Sequence, residues 1–297
     1  MATVGFVGLG AMGGTVTKRL LDAGHTVHGY NRTREKAAWL VEQGLILEDT
    51  PRAVTEKVDV VMTMVTNTKA LDAVARGEDG ILGALKPGQI WVDSTTGSPA
   101  NTRKLAEEVE ALGATLLDAP ISGAPITLEQ GKASLMVGGA EEAFDRVKPI
   151  LEDVGPIVTR IDDNGQALLL KIAINLSLHV QMTAFAEGLL IAEKGGIDKE
   201  VAVEAMLNSV IASPMVKYRG PFVLGHPEGD AWFDCNMMQK DMLLALDAGR
   251  EYGGAMPTTA VSNELLTAAR GMGLDHYDFA IVYDVLAAMA GVKGAVA

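Results

Sequence analysis

The chain opens on a strand-like run, Thr3 to Val7, which ends in glycines at Gly8, Gly10 and Gly13; Ala11 to Ala23 then reads as a helix stopped by Gly24. Such a tract admits few folds. G-x-G-x-x-G held between a strand and a helix makes a tight turn whose backbone can approach an anion, and it aims the helix N-terminus at that anion. Glycines also serve plain tight turns. The strand before and the helix after favour a cradle built from Gly8, Leu9, Gly10, Ala11, Met12 and Gly13 for a dinucleotide pyrophosphate.

The same alternation continues to about Arg160. Apolar runs at Thr3–Val7, Thr26–Tyr30, Val58–Met64, Ile90–Val92, Thr115–Leu117, Ser134–Val137 and Ile157–Arg160 read as strands. Helical stretches such as Arg34–Gln43, Pro99–Leu112 and Glu141–Leu151 lie between them, closed at places by Gly44 and Gly113. This β-α order predicts an α/β fold whose N-terminal part is a Rossmann-type, doubly wound parallel sheet. Past Asn164 the strands cease. Ala167–Lys194 reads as one long helix, and helical periodicity recurs over Lys199–Val210, Asn236–Tyr252, Thr258–Met272 and Phe279–Ala290, with Ser213–Gly229 irregular. We therefore expect a dinucleotide-binding domain at 1–163 and an all-α domain at 164–297, the latter shaping substrate recognition and subunit contacts.

Composition excludes several classes of function. A net charge of −13 without a basic stripe argues against a nucleic-acid partner. The single cysteine, Cys235, excludes an intrachain disulfide and reads as a small buried hydrophobe. The apolar stretch Ala167 to Ala192 is interrupted by Lys171, Asn175, His179 and Glu187, a pattern that suits a buried helix better than a membrane span. No basic and apolar leader precedes the first strand, so a cytoplasmic protein is expected. The five histidines show no metal-ligand spacing, and no metal is expected.

The residues after the second strand read the ribose. An acid there would bind both hydroxyls and disfavour a 2′-phosphate. This chain has Asn31-Arg32-Thr33 instead, a neutral amide followed by a guanidinium able to pair with phosphate. NADP is expected over NAD. Asn31 or Thr33 could also cap the helix that follows.

Two further motifs, Asp118-Ala119-Pro120-Ile121-Ser122-Gly123-Ala124 and Gly165-x-Ala167-x-x-x-Lys171-x-x-x-Asn175, stand in order with the glycine turn and with Lys240-Asp241. Together they resemble the β-hydroxyacid dehydrogenase family, the group of 3-hydroxyisobutyrate dehydrogenase and related semialdehyde reductases, over essentially the whole chain. The resemblance implies hydride transfer between a nicotinamide and a small carboxylate-bearing carbonyl or β-hydroxyacid. It implies Lys171 as acid–base residue with Asn175 positioning, and a substrate-carboxylate clamp at Ser122, Gly123 and Ala124. It further implies cofactor contacts from Met64-Val65, from Thr95-Thr96 and from Lys240, and a homodimer or higher homo-oligomer. Independent chemistry supports the lysine: reducing a carbonyl leaves an alkoxide that must be protonated, and an apolar helix face lowers a lysine pKa by desolvation. A lysine snorkelling from a buried helix is the plainer alternative.

The chain departs from the family pattern at Thr66, Ala124, Ala167 and Ile174, each swap adding bulk or apolarity beside Leu168, Leu169 and Leu170. These substitutions imply a larger or less polar substrate, or else interdomain packing. Two rival functions remain: an imine reductase, which the Tyr30–Ala37 segment also resembles but which generally lacks the lysine, and a non-catalytic NADP-binding protein. His179, two turns beyond Lys171, could line the site, although a core histidine is the simpler reading.

Overall fold

The computed structural model describes residues 1–227 and 231–294. The chain divides into two compact units, Met1–Lys171 and Ile172–Ala297, the division falling inside the long helix Gln166–Lys194.

In the first unit, strands β1 (Thr3–Val7), β2 (Thr26–Tyr30), β3 (Ile46–Leu47), β4 (Val60–Thr63), β5 (Ile90–Asp93) and β6 (Thr115–Asp118) form a parallel sheet in the order β3-β2-β1-β4-β5-β6. Nearly every residue of β4, β5 and β6 is buried, as a parallel sheet covered on both faces requires. The pleat sorts them by alternation. Phe6, Met62, Val92 and Leu117 enter one core with Val16 and Leu20 of the helix Ala11–Asp22. Val7, Val61, Trp91 and Leu116 enter the other with Leu71, Leu105 and Val109. Strand order reverses between β1 and β4, so the carboxyl ends of these two strands flank the crevice where ligands bind in such sheets.

Two expected strands lie elsewhere. Ser134–Val137 (β8) and Ile157–Arg160 (β9) form a second, three-stranded sheet with Ile121–Ser122 (β7), which pairs antiparallel to β8. The chain turns back at once after β6, and the six-stranded sheet meets the smaller one through the Asp118–Gly138 bridge. The two-residue strands β3 and β7 are too short for periodicity to reveal. The expected helix Arg34–Gln43 is a 3₁₀ turn, Arg34–Ala37, followed by the short helix Ala38–Val41.

The second unit is helical. Met182, Phe185, Ala186 and Leu189 of the long helix pack in one core with Met238, Met242, Leu266, Phe279 and Tyr283, the i, i+3, i+4, i+7 stripe of a core-facing helix. Ser213, expected to open an irregular segment, instead caps the helix Pro214–Arg219 by accepting from the Val216 N–H, and the 3₁₀ turn Gly220–Val223 follows. Proline at the first helical position pre-sets that start. The remainder of the irregular reading reaches Glu228 and Gly229, outside the described residues. By length and composition the helix Gln166–Lys194 could cross a membrane. Two of its buried polar residues have protein partners: Asn175 bonds Asp241 and His179 bonds the Ser262 carbonyl.

Candidate active site

The glycine turn comes first, because backbone crowding forces its composition. Gly8 has φ +103°, and a Cβ there would sit 2.2 Å from the Met64 carbonyl oxygen; a Cβ on Gly13 would sit 1.9 Å from the Gly8 oxygen. Only glycine fits either position. Gly10 is different: a Cβ there would meet nothing within 4 Å. Gly10 is the N-cap of the helix Ala11–Asp22, which has no side-chain cap and no acid in its first turn. A helix start with unsatisfied N–H groups, open space and no competing carboxylate is a fitting receptor for a pyrophosphate. Leu9 is buried, Met12 half-buried and Ala11 exposed in the same turn.

Asn31 braces this turn. Its Oδ1 accepts from the Leu9 N–H at 3.0 Å, and its Nδ2 donates to the Thr33 carbonyl at 2.8 Å. Neither Asn31 nor Thr33 caps with its side chain: Thr33 holds the N-cap position of the 3₁₀ turn but makes no side-chain cap bond. Arg32 is exposed and has no ion-pair partner among the described residues, whereas Arg34 pairs with Asp49 at 2.6 Å.

Across the crevice, the loops after β4 and β5 are joined. The Met64 N–H donates to the Val7 carbonyl at 3.0 Å, and the Val65 N–H donates to Thr95 Oγ1 at 3.1 Å. Beneath them lies Asp93, fully buried. Its Oδ1 accepts from Thr63 Oγ1 at 2.6 Å and from the Thr95 N–H at 3.1 Å, while its Oδ2 is buried without a hydrogen-bond partner. Burial pushes the Asp93 carboxyl up to about 7, against the pull of the Thr63 and Thr95 bonds. Thr96 follows, half-buried. Gly8, Leu9, Asn31, Met64, Val65 and Thr95 therefore belong to one hydrogen-bonded edge.

The segment expected to hold a substrate carboxylate continues from β6. Ser122 is half-buried in β7 and Gly123 exposed; a Cβ on Gly123 would lie 2.6 Å from Thr127 Oγ1. Ala124 caps the short helix Pro125–Glu129, and its own N–H is taken by Thr127 Oγ1 at 2.7 Å. Asp118, at the end of β6, is fully buried, and its Oδ1 accepts from the Gly165 N–H at 2.8 Å and Asn164 Nδ2 at 3.2 Å. Its Oδ2 accepts from the Leu168 N–H at 3.1 Å. Desolvation raises the pKa of this carboxyl and the backbone donors oppose the shift. Ala167 and Leu168, two of the apolar residues singled out above, are wholly buried at the head of the long helix, whereas Leu170 and Thr66 are exposed and Ile174 half-buried.

Along that helix Lys171, Asn175 and His179 recur at four-residue spacing, all buried. Asn175 Nδ2 donates to Asp241 Oδ2 at 2.5 Å, and Asn175 Oδ1 is buried with no hydrogen-bond partner. Lys240 Nζ lies 2.9 Å from Asp241 Oδ1. Asp241 thereby orients the Asn175 amide with its carbonyl open to a donor. His179 Nε2 bonds the Ser262 carbonyl at 3.0 Å, and burial lowers its pKa to about 4. It is neutral near pH 7 and is a core histidine. Asp118 and Asp241 stood inside motifs read from sequence without roles, and Asp93 directly follows the expected strand Ile90–Val92. The signal was present, since an acid closing an otherwise apolar buried strand must find donors.

The glycine turn, the brace at Asn31 and the strand-edge network lie together at the carboxyl end of a Rossmann-type sheet, where ligands bind in such folds. Residues 3–162 match the NAD-binding domain of 6-phosphogluconate dehydrogenase, and residues 165–286 match the NAD-binding family of NADP-dependent 3-hydroxyisobutyrate dehydrogenase. The chain is 32% identical to 2-hydroxy-3-oxopropionate reductase of Escherichia coli, covering 98% of this chain and 99% of that protein. It is 31% identical to 2-(hydroxymethyl)glutarate dehydrogenase of Eubacterium barkeri, covering 98% and 96%. The crystal structure of 3-hydroxyisobutyrate dehydrogenase from Salmonella typhimurium superimposes with a TM-score of 0.88 at 28% identity, over 96% of this chain and 100% of that one. The chain belongs to the β-hydroxyacid dehydrogenase family, pyridine-nucleotide-dependent oxidoreductases acting on a CH–OH group.

The glycine geometry makes a two-sided prediction. Gly10→Ala should leave the thermal midpoint within a few degrees, since its Cβ meets open space, yet weaken dinucleotide binding at least ~10-fold. Gly8→Ala should destabilise the fold itself by ~2 kcal/mol or more. Titration calorimetry and thermal melts read both; an unaffected affinity in Gly10→Ala would remove the turn from the cofactor site.

A second prediction follows from Asp93. Its folded pKa of about 7 lies above the ordinary aspartate value of 3.8, so the native state holds a proton that the unfolded chain releases. Its contribution to stability is full below about pH 4 and is lost as pH rises toward 7. Asp93→Asn cannot ionise. Urea unfolding of both proteins should show the variant gaining on the wild type from pH 5 to 7 and levelling off above; a constant difference would refute the assignment.

Proposed function

We propose that this protein is an NADP-dependent reductase and dehydrogenase of a small carbonyl compound bearing a carboxylate, and of the corresponding β-hydroxyacid. The observation that carries this reading is the Asn175 amide, locked by Asp241 with its buried Oδ1 unpartnered, one helical turn from the buried Lys171. A buried acceptor without a donor costs roughly 1–3 kcal/mol, and a substrate hydroxyl would supply the donor. A protein that only bound the dinucleotide would have no use for this arrangement.

In the proposed mechanism the bound nicotinamide supplies or takes up the hydride. In the reductive direction Lys171, as the ammonium, gives its proton to the carbonyl oxygen as the carbon gains hydride, so an alcohol forms and no free alkoxide persists. In oxidation the neutral amine takes the hydroxyl proton. The single hydroxyl proton serves one acceptor at a time: the bound alcohol donates it to Asn175 Oδ1, which fixes the oxygen, and turns it to the Lys171 amine for transfer. Ser122 and Gly123 hold the substrate carboxylate; the Ala124 N–H, already bonded to Thr127, contributes only through packing. The cradle of Gly8 to Gly13 holds the pyrophosphate.

Two features support NADP over NAD. Position 31 carries no charge to repel a 2′-phosphate, and Arg32 is exposed without an ion-pair partner among the described residues. The family whose model matches residues 165–286 is described as NADP-dependent. Calorimetric titration should therefore give tighter binding of NADPH than NADH, and Arg32→Ala should erode that preference ~10-fold or more, the value of one charged hydrogen bond. Tighter binding of NADH by the wild type would reverse the assignment.

The bulk added by Ala124, Ala167 and Ile174 supports a substrate larger than glyoxylate, in keeping with the relative named for 2-(hydroxymethyl)glutarate. A panel of aldehyde acids assayed with NADPH tests this, and a strong preference for glyoxylate would count against it. On the best substrate, Lys171→Ala should lower kcat by ~10²–10⁴-fold, the range of general acid–base catalysis, with NADPH affinity retained. Unchanged turnover would take the lysine out of the mechanism.

A further inference from the structure

Asp118 is placed unlike an ordinary cap. Its carboxylate gathers three donors from one short stretch: the Gly165 N–H at 2.8 Å, the Leu168 N–H at 3.1 Å and Asn164 Nδ2 at 3.2 Å. These are the groups that enter and begin the helix Gln166–Lys194. The carboxylate cannot drift, because its own backbone exchanges two hydrogen bonds with Gly138, at 3.1 and 2.8 Å. A Cβ on Gly138 would lie 2.8 Å from Asp118 Oδ1, so that glycine makes room for the bonded carboxylate. Asn164 Nδ2 also donates to the Leu116 carbonyl at 3.0 Å, a second tie between the helix entrance and β6.

Two segments of the proposed chemistry leave from this point. Along the chain from Asp118 come Ala119 and Pro120, then β7 with Ser122. From Leu168, three residues onward and less than one helical turn, comes Lys171. We propose that Asp118 is a positioning residue that sets the register of Lys171 against the carboxylate clamp, by holding the first turn of the long helix to the strand from which the clamp emerges. The proposal rests on the reading of Lys171 as the proton-transfer residue. Asp118 touches no reacting atom; it acts through the helix start. A carboxylate suits the task better than an amide, since both oxygens accept and the charge complements the positive helix end. An asparagine would turn its NH₂ toward the Leu168 or the Gly165 N–H.

Asp118→Asn, Asn164→Ala and Lys171→Ala, each in the full-length protein, test this. Asp118→Asn should lower kcat by ~10–100-fold, as small misplacements of catalytic groups do, while NADPH affinity and substrate KM stay within ~3-fold. Asn164→Ala, which removes one donor and leaves the carboxylate, should lower kcat less and in the same direction; it carries the test if Asp118→Asn does not fold. Hydrogen exchange of the free protein should be faster at the Gly165 and Leu168 amides in Asp118→Asn and unchanged in β1 and β4, a readout independent of turnover. Wild-type kcat in Asp118→Asn, or a fall matched by equal loss of NADPH affinity, overturns the proposal. If Lys171→Ala abolishes turnover while Asp118→Asn does not, the positioning role alone falls. If Lys171→Ala turns over normally, the functional reading falls and takes this one with it.

Discussion

The close approach of the first strand's exit to the fourth strand is the constraint on which the N-terminal unit depends. Gly8 presses against the Met64 carbonyl, and Gly13 lies over the Gly8 oxygen, so two missing side chains let the helix Ala11–Asp22 start directly above β1. That position leaves the helix N-terminus open at the reversal of strand order, with room above Gly10. The Leu9 N–H goes to Asn31 and the Gly8 N–H to the Tyr30 carbonyl, at 3.0 and 2.9 Å, which ties the end of β2 into the same edge. An open helix start suited to an anion is thus made mostly of backbone, held by what glycine omits.

Beneath this edge, acids close two buried strands. Asp93 gathers Thr63 and Thr95, and Thr95 in turn holds the Val65 N–H, so the loops after β4 and β5 move as one piece. Asp118 ties β6 to the long helix instead. Each buried carboxylate is costly unless donors meet it, and meeting it fixes the loop or helix start that supplies the donors. The two acids differ in outcome. Asp93, with one oxygen unpartnered, is pushed up to about 7, whereas both oxygens of Asp118 accept from the helix start. Asp241 follows the same logic in the helical unit, where it orients the Asn175 amide.

Much of this was legible in the chain. The glycine spacing, the run of buried strands and the long helix with Lys171 and Asn175 follow from period and composition, since a parallel sheet demands near-continuous apolar strands and a core helix repeats every three to four residues. Other elements were not. β3 and β7 are two residues each, below any period. β8 and β9 read as members of the main sheet because nothing in a strand's own residues says which sheet it joins; the reversal at β7 decides that. The bracing role of Asn31 was not legible, because its partner is the Leu9 N–H, twenty-two residues away.

The amino-acid sequence by itself determined the class of fold, the glycine cradle and the pairing of Lys171 with Asn175 along one helix face, because these rest on short-range stereochemistry: left-handed φ, helical period and strand alternation. The tertiary structure alone decided what each polar side chain does. Asp93, Asp118 and Asp241 acquire their roles from donors up to 30, 50 and 66 residues away. Hydrogen bonds of that reach depend on which backbone groups packing leaves unsatisfied, a property of the folded molecule and of no local stretch of chain.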